Sequence, residues 1–247
     1  MDNPENPESE QYREDLADEI KSAPEDEKKE ILDKAKETPE YWQARGEKIS
    51  ERQNEQEIDD GLGVFVERKS LYHGSATPGI KQLNVALDTT VGRGIYCTSQ
   101  AKDAIGYARV RAEETGINPP LIYEASIEKM KLLDLRKKEN FQKVMANFRP
   151  KLEQELANSD NLEWWHRDAL RRAIKLIDSG EARGKVQLVA GGILGPTFSE
   201  HVKSLGYEGL IIYEGGETEV KASVGAHDTY LIFDPEKVKI SREHRIV

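Results

Sequence analysis

Cysteine is almost missing from this chain: Cys97 is the only one in 247 residues. That excludes an intrachain disulfide framework and any multi-cysteine zinc site, a usage that fits a reducing compartment. Cys97 itself reads as a small packed side chain. Long apolar runs are missing too. None approaches the roughly 18 residues of a membrane span, and the opening MDNPENPESE has neither the basic nor the apolar region of a signal peptide. The expectation is a cytoplasmic protein with no membrane partner. No polybasic arm occurs, which speaks against non-specific binding to nucleic acid.

The charge that is present is unevenly spread. Residues 1–60 hold 21 acidic and 9 basic side chains, a balance of −12, whereas residues 61–247 hold 25 acidic and 27 basic, a balance of +2. The chain's net charge of −10 therefore belongs to its front, and the body does not repel phosphate as a whole. The first ten residues are polar and contain two prolines, which suits a disordered start. Helical pieces follow: Ser22-Ala23-Pro24-Glu25 and Thr38-Pro39-Glu40 are helix starts, with a sparse apolar stripe of Ile31, Leu32 and Ala35 between them. Too few large apolar residues are present for a separate core. Residues 1–62 are thus expected to form an acidic helical or partly disordered appendage that docks on the body, recruits a partner or tethers, with Asp59-Asp60-Gly61-Leu62-Gly63 as the hinge.

From Val64 onward, short β-like runs alternate with turns and helices, as in an α+β domain over residues 63–247. Strands are expected at Ser70–His73, Gly94–Thr98, Leu121–Ile127, Val186–Val189, Gly209–Tyr213 and Thr229–Asp234. A helical insertion at about 138–182 would hold Asn140–Ala157 and Leu162–Ser179, the latter ending at Gly180. Its second helix mixes Trp164, Trp165 and His166 with Arg167, Arg171, Arg172 and Lys175. The simplest reading packs Trp165, Leu170, Ile174 and Ile177 inward and leaves the bases in water. Gly191-Gly192-Ile193-Leu194-Gly195-Pro196 lacks the lysine and hydroxyl of a P-loop.

Three pieces carry chemistry: Leu71-Tyr72-His73-Gly74-Ser75, Gly92-Arg93-Gly94-Ile95-Tyr96-Cys97-Thr98 with Tyr107 eleven positions beyond Tyr96, and Tyr230-Leu231-Ile232-Phe233-Asp234-Pro235. Their order and spacing resemble the ADP-ribosyltransferase superfamily, in the His-Tyr-Glu branch of diphtheria-type toxins and poly(ADP-ribose) polymerases. Leu205–Ile211 and Tyr230–Ile240 further resemble bacterial and phage members. The resemblance spans roughly residues 69–240, apart from the insertion. It implies an α+β fold with a split β-sheet core, NAD as co-substrate and no metal. It places His73 under the adenine-side ribose, Gly74 against the carboxamide and Tyr96 and Tyr107 around the nicotinamide ring, with Ser75 in support. A histidine offers directional nitrogens to a hydroxyl, and a glycine lets main chain approach a ligand. Thr98 or Ser99 would cap the helix bearing Tyr107, and Gly116 would end it.

The pattern breaks at the third member of the triad. Aligning the last strand puts Thr229 where the family has its glutamate, the group that stabilises positive charge on the reacting ribose. Three readings remain open: Asp228 substitutes through an irregular strand start, Glu217 or Glu219 reaches in from the preceding loop, or no acid is used. Strand alternation places Asp228 and Thr229 on opposite faces. Ala104 also stands where the polymerases commonly carry a serine. The resemblance implies a mono-ADP-ribosyltransferase of toxin or effector type, acting on a macromolecular acceptor that is protein rather than nucleic acid. The alternatives are a catalytically silent NAD- or ADP-ribose-binding module and an NAD glycohydrolase. The segment 214–228 is where relatives recognise the acceptor.

Overall fold

The structure is a computed structural model and describes residues 7–24, 27–29, 31, 35, 57–59, 61–86, 91–117, 119–158, 162–214 and 227–246. The expected helix start at Thr38–Glu40 lies outside them. Its strands, in chain order, are β1 (Glu57–Asp59), β2 (Gly63–Ser75), β3 (Ile95–Thr98), β4 (Leu121–Asp134), β5 (Gly209–Glu214), β6 (His227–Ile232) and β7 (Lys239–Arg245). The helices are α1 (Pro7–Ser22), α2 (Ala101–Thr115), α3 (Lys138–Ala157), α4 (Trp164–Ser179), α5 (Val186–Ala190) and α6 (Gly195–Ser204). No helix among the described residues is long and apolar enough to cross a membrane.

The α+β class holds, but the sheet is not split. Its strands run in the order β1-β2-β3-β6-β5-β4-β7, and a further pairing of β2 with β4 closes β2-β3-β6-β5-β4 into a small barrel. Two long strands make that closure possible. β2 pairs antiparallel with β4 from Gly63↔Leu133 to Ser75↔Leu121, while the end of β4 turns to pair parallel with β5 at Leu132↔Gly209. Inside lie Val66, Leu71, Ile127, Met130, Ile211 and Ile232, all buried. β6 sits between β3 and β5, so both neighbours can present side chains beside those of β6.

Several expectations are corrected. The hinge expected at Asp59–Gly63 is not found: β1 pairs antiparallel with β2 up to Asp59↔Val64, with Gly61 at φ 95° between the two strands. Pro7–Ser22 is helical, so residues 7–10 depart from the disordered start expected of the first ten. Val186–Val189 is not a strand but part of α5. Val189 and Ala190 are buried while Leu188 is exposed, a helical face that happens to contain β-branched residues.

The helical insertion forms a hairpin of α3 on α4, closed by Gly180 in the left-handed conformation. Its Phe148, Leu152 and Leu170 join a core cluster with Phe198 of α6 and Leu210 and Leu231 of the barrel, Phe148 and Phe198 meeting edge to face at 5.2 Å. Leu170 points inward as expected, but Trp165 does not: it is 47% exposed and Trp164 70%. Trp165 lies instead over the His166 ring at 5.9 Å.

Candidate functional site

A cleft opens at the ends of β2, β3, β5 and β6, against one face of α2. Its wall includes Tyr72, His73, Gly74, Tyr96, Thr98, Ala104, Tyr107, Arg111, Glu214 and Thr229. His73, Gly74, Tyr96, Tyr107 and Thr229, five of the seven residues singled out from sequence, meet here. Asp228 and Ser75 do not line it.

His73 ends the buried part of β2, and its Nδ1 lies 2.8 Å from the carbonyl oxygen of Tyr96 on β3. A carbonyl can only accept, so Nδ1 carries the proton and donates, which leaves Nε2 as a lone-pair acceptor for a ligand hydroxyl. Burial holds the His73 pKa below its ordinary 6.5, against the raising effect of the Tyr96 bond, and the charge of Arg111 lowers it further. The imidazole is therefore neutral near pH 7.

Tyr96 is fixed by its own phenol. The Val91 N–H donates to its hydroxyl oxygen at 2.9 Å, and the hydroxyl donates back to the Val91 carbonyl. The ring is thus a rigid wall packed against the helical side of the core. Cys97, next along β3, is buried, and burial pushes its thiol up to about 12. It is chemically inert at neutral pH.

Gly74 is needed for a reason the sequence did not reveal. A Cβ there would stand 2.2 Å from the Ala104 carbonyl oxygen, 2.7 Å from the Ala108 nitrogen and 3.0 Å from the Tyr107 Cβ. Glycine lets α2 pack directly on β2, and this close approach sets Tyr107 over the cleft. The helix starts after Gln100 rather than being capped by Thr98 or Ser99. Thr98 is occupied elsewhere, its hydroxyl donating to Asp103 at 3.3 Å. Burial raises the Asp103 pKa, opposed by the charges of His227 and Lys102. Gly116, at φ 68°, ends the helix as expected.

The carboxylate in the cleft is Glu214, the last residue of β5. It is 9% exposed. Tyr107 donates to its Oε2 at 2.8 Å and Thr229 donates to the same oxygen at 2.9 Å. Among the described residues no hydrogen bond reaches Oε1, which is left for a ligand. Burial and the neighbouring Glu214 charge both push the Tyr107 pKa upward, so its phenol stays protonated and remains a donor. The His227 Nε2 is 3.8 Å from Oε2, and its ring meets that of Tyr107 edge to face.

Strand alternation explains the correction at Asp228. Glu214 pairs with His227 and Tyr213 with Asp228, so His227 and Thr229 share the Glu214 face and Asp228 takes the other. No bulge interrupts that register. Asp228 instead holds Arg136 at 2.5 Å, together with Asp134 at 2.8 Å. Glu217 and Glu219 lie outside the described residues. Ser75 accepts the Thr77 N–H at 3.1 Å and shapes the turn after β2. The sequence signal for Glu214 was faint: a glutamate closing the apolar run Leu210-Ile211-Ile212-Tyr213, one strand earlier than the alignment directed attention. Among the described residues no group of three or more histidine, cysteine or acidic side chains could hold a metal.

No family model matches the sequence, and no curated protein matches it. Among solved structures the chain is similar to a chain of the M. tuberculosis MbcT-MbcA toxin-antitoxin complex, with a TM-score of 0.39 and 9% identity, over 76% of this chain and 89% of that one.

Proposed function

We propose that the cleft binds NAD and that the protein is an ADP-ribosyltransferase that breaks the nicotinamide glycosidic bond, with Glu214 as its acid. The observation that carries this reading is a buried carboxylate, oriented by two hydroxyl donors, in the same cleft as His73 and Tyr96. His73 Nε2 accepts a ribose hydroxyl, the Tyr96 ring lies against the nicotinamide, and Glu214 Oε1 accepts from the nicotinamide-side ribose. As the bond between ribose C1′ and the pyridinium nitrogen breaks, its electron pair leaves with nicotinamide and positive charge spreads over C1′ and the ring oxygen. The Glu214 charge lies where that develops, and it was in place before reaction, so no reorganisation is required. An acceptor nucleophile then bonds to C1′ and loses its proton. The acceptor is macromolecular and, given the lack of a polybasic segment, a protein.

Incubation with NAD and candidate acceptor proteins tests this through two readouts, nicotinamide release and a mass gain of one ADP-ribose on the acceptor. Glu214→Gln should lower turnover by about 10²–10³-fold while leaving NAD binding nearly intact. Free ADP-ribose as sole product would make the protein a glycohydrolase. NAD binding with no nicotinamide release would make it a binding module, and absence of NAD binding would overturn the proposal altogether.

A further inference from the structure

The cleft is electrically polarised. Among the described residues lining it, Glu214 is the one acid and Arg111 the one permanent cation. Ala104, Tyr107 and Arg111 follow one another at helical spacing on the cleft face of α2. Tyr107 reaches Glu214, and Arg111 stands one turn further, about 6 Å along the axis. Arg111 is also close enough to His73 for its charge to be felt there. An occupant therefore meets an anion beside Tyr107 and a cation one helical turn further on, with His73 on the same wall.

We propose that Arg111 anchors a diphosphate, so that the cleft selects a whole dinucleotide over nicotinamide or its nucleoside. This rests on the reading of the cleft as an NAD site, where the pyridinium end lies by Glu214 and one ribose separates it from the diphosphate. Guanidinium donors match phosphate oxygens in pairs. The present partner of Arg111 is Glu114, three residues on at 3.0 Å, with the arginine side chain 66% exposed. Such a surface pair is weak, and a diphosphate can displace it.

Calorimetric titration with NAD, ADP-ribose and inorganic pyrophosphate, and ligand-observed NMR with nicotinamide, test the assignment on the full chain. Arg111→Ala should weaken NAD and ADP-ribose by about 10- to 100-fold, leave nicotinamide unchanged and flatten the salt dependence of ADP-ribose binding. Glu114→Gln should bind at least as well as the parent. Equal loss for nicotinamide and NAD, or no loss for either, would overturn the assignment and leave the NAD reading standing. Arg111-dependent binding of ADP-ribose or pyrophosphate by a parent protein that takes neither NAD nor nicotinamide would do the reverse.

Discussion

Glu214 reaches the cleft because β5 continues one pleat past its apolar core, and because Thr229 stands beside it on β6 with a hydroxyl instead of a second carboxylate. Threonine at the expected glutamate position is thus a donor to the acid, not its replacement. The resemblance to the ADP-ribosyltransferase pattern grouped His73, Tyr96, Tyr107 and Thr229, and the fold brings them to one cleft. The sequence could not place Glu214, whose role depends on which strands become neighbours. His73 carries a pH prediction. Its pKa is lowered by burial, so below the ordinary 6.5 the unfolded imidazole takes up a proton that the folded one refuses. The stabilisation is full above 6.5 and is lost as pH falls towards the folded pKa, where the loss levels off. Protonation also removes the Nε2 lone pair. Melting temperature should fall as pH drops below 6.5, and His73→Asn should flatten that profile; equal slopes in parent and variant would refute the role.

At the scale of elements, the seam between α2 and β2 and the insertion hairpin behave differently. Gly74→Ala would set its Cβ against backbone atoms of Ala104 and Ala108, which cannot rotate away. The helix must shift, at a cost of about 1–3 kcal/mol, and Tyr107 moves with it. Chemical denaturation should show the loss, with NAD affinity falling in parallel, whereas an unchanged midpoint would mean the seam is loose. In the hairpin, Leu170 is fully buried and Trp164 is 70% exposed. Leu170→Ala should cost about 2–5 kcal/mol, while Trp164→Ser should stay within about 0.5 kcal/mol, both measured by denaturant unfolding. Helix periodicity made α3, α4 and the Gly180 stop legible. It failed for Trp165, because the hairpin's inward face is filled by Leu170 and Ala173, and for Val186–Val189, where β-branched composition masked a short helix.

Across the whole molecule, the separation of charge was legible from composition, whereas barrel closure was not, since it depends on a pairing of β2 with β4 that links distant residues. Under the proposal that the cleft binds NAD, the front segment's charge bears on an anionic ligand. Residues 1–56 hold 18 acidic and 9 basic side chains, a net −9. Each unit charge about 30 Å from the ligand's single net charge contributes about 0.14 kcal/mol in water. Nine unit charges at that distance would oppose NAD binding by about 1 kcal/mol before screening, and by roughly half that where the Debye length is about 30 Å, near 0.01 M salt. A chain beginning at residue 57 keeps β1 and the hairpin that joins it to the barrel. It should bind NAD two- to threefold more tightly than the full chain at about 0.01 M salt, and the advantage should nearly vanish at about 0.15 M, where the Debye length is about 8 Å. ADP-ribose, which lacks the pyridinium charge, should show a larger gain at low salt. Calorimetric titrations of both ligands at the two ionic strengths decide the point. A gain that persists at high salt would mean that residues 1–56 obstruct the cleft by contact, and no gain at either would mean that their charge lies too far away to matter.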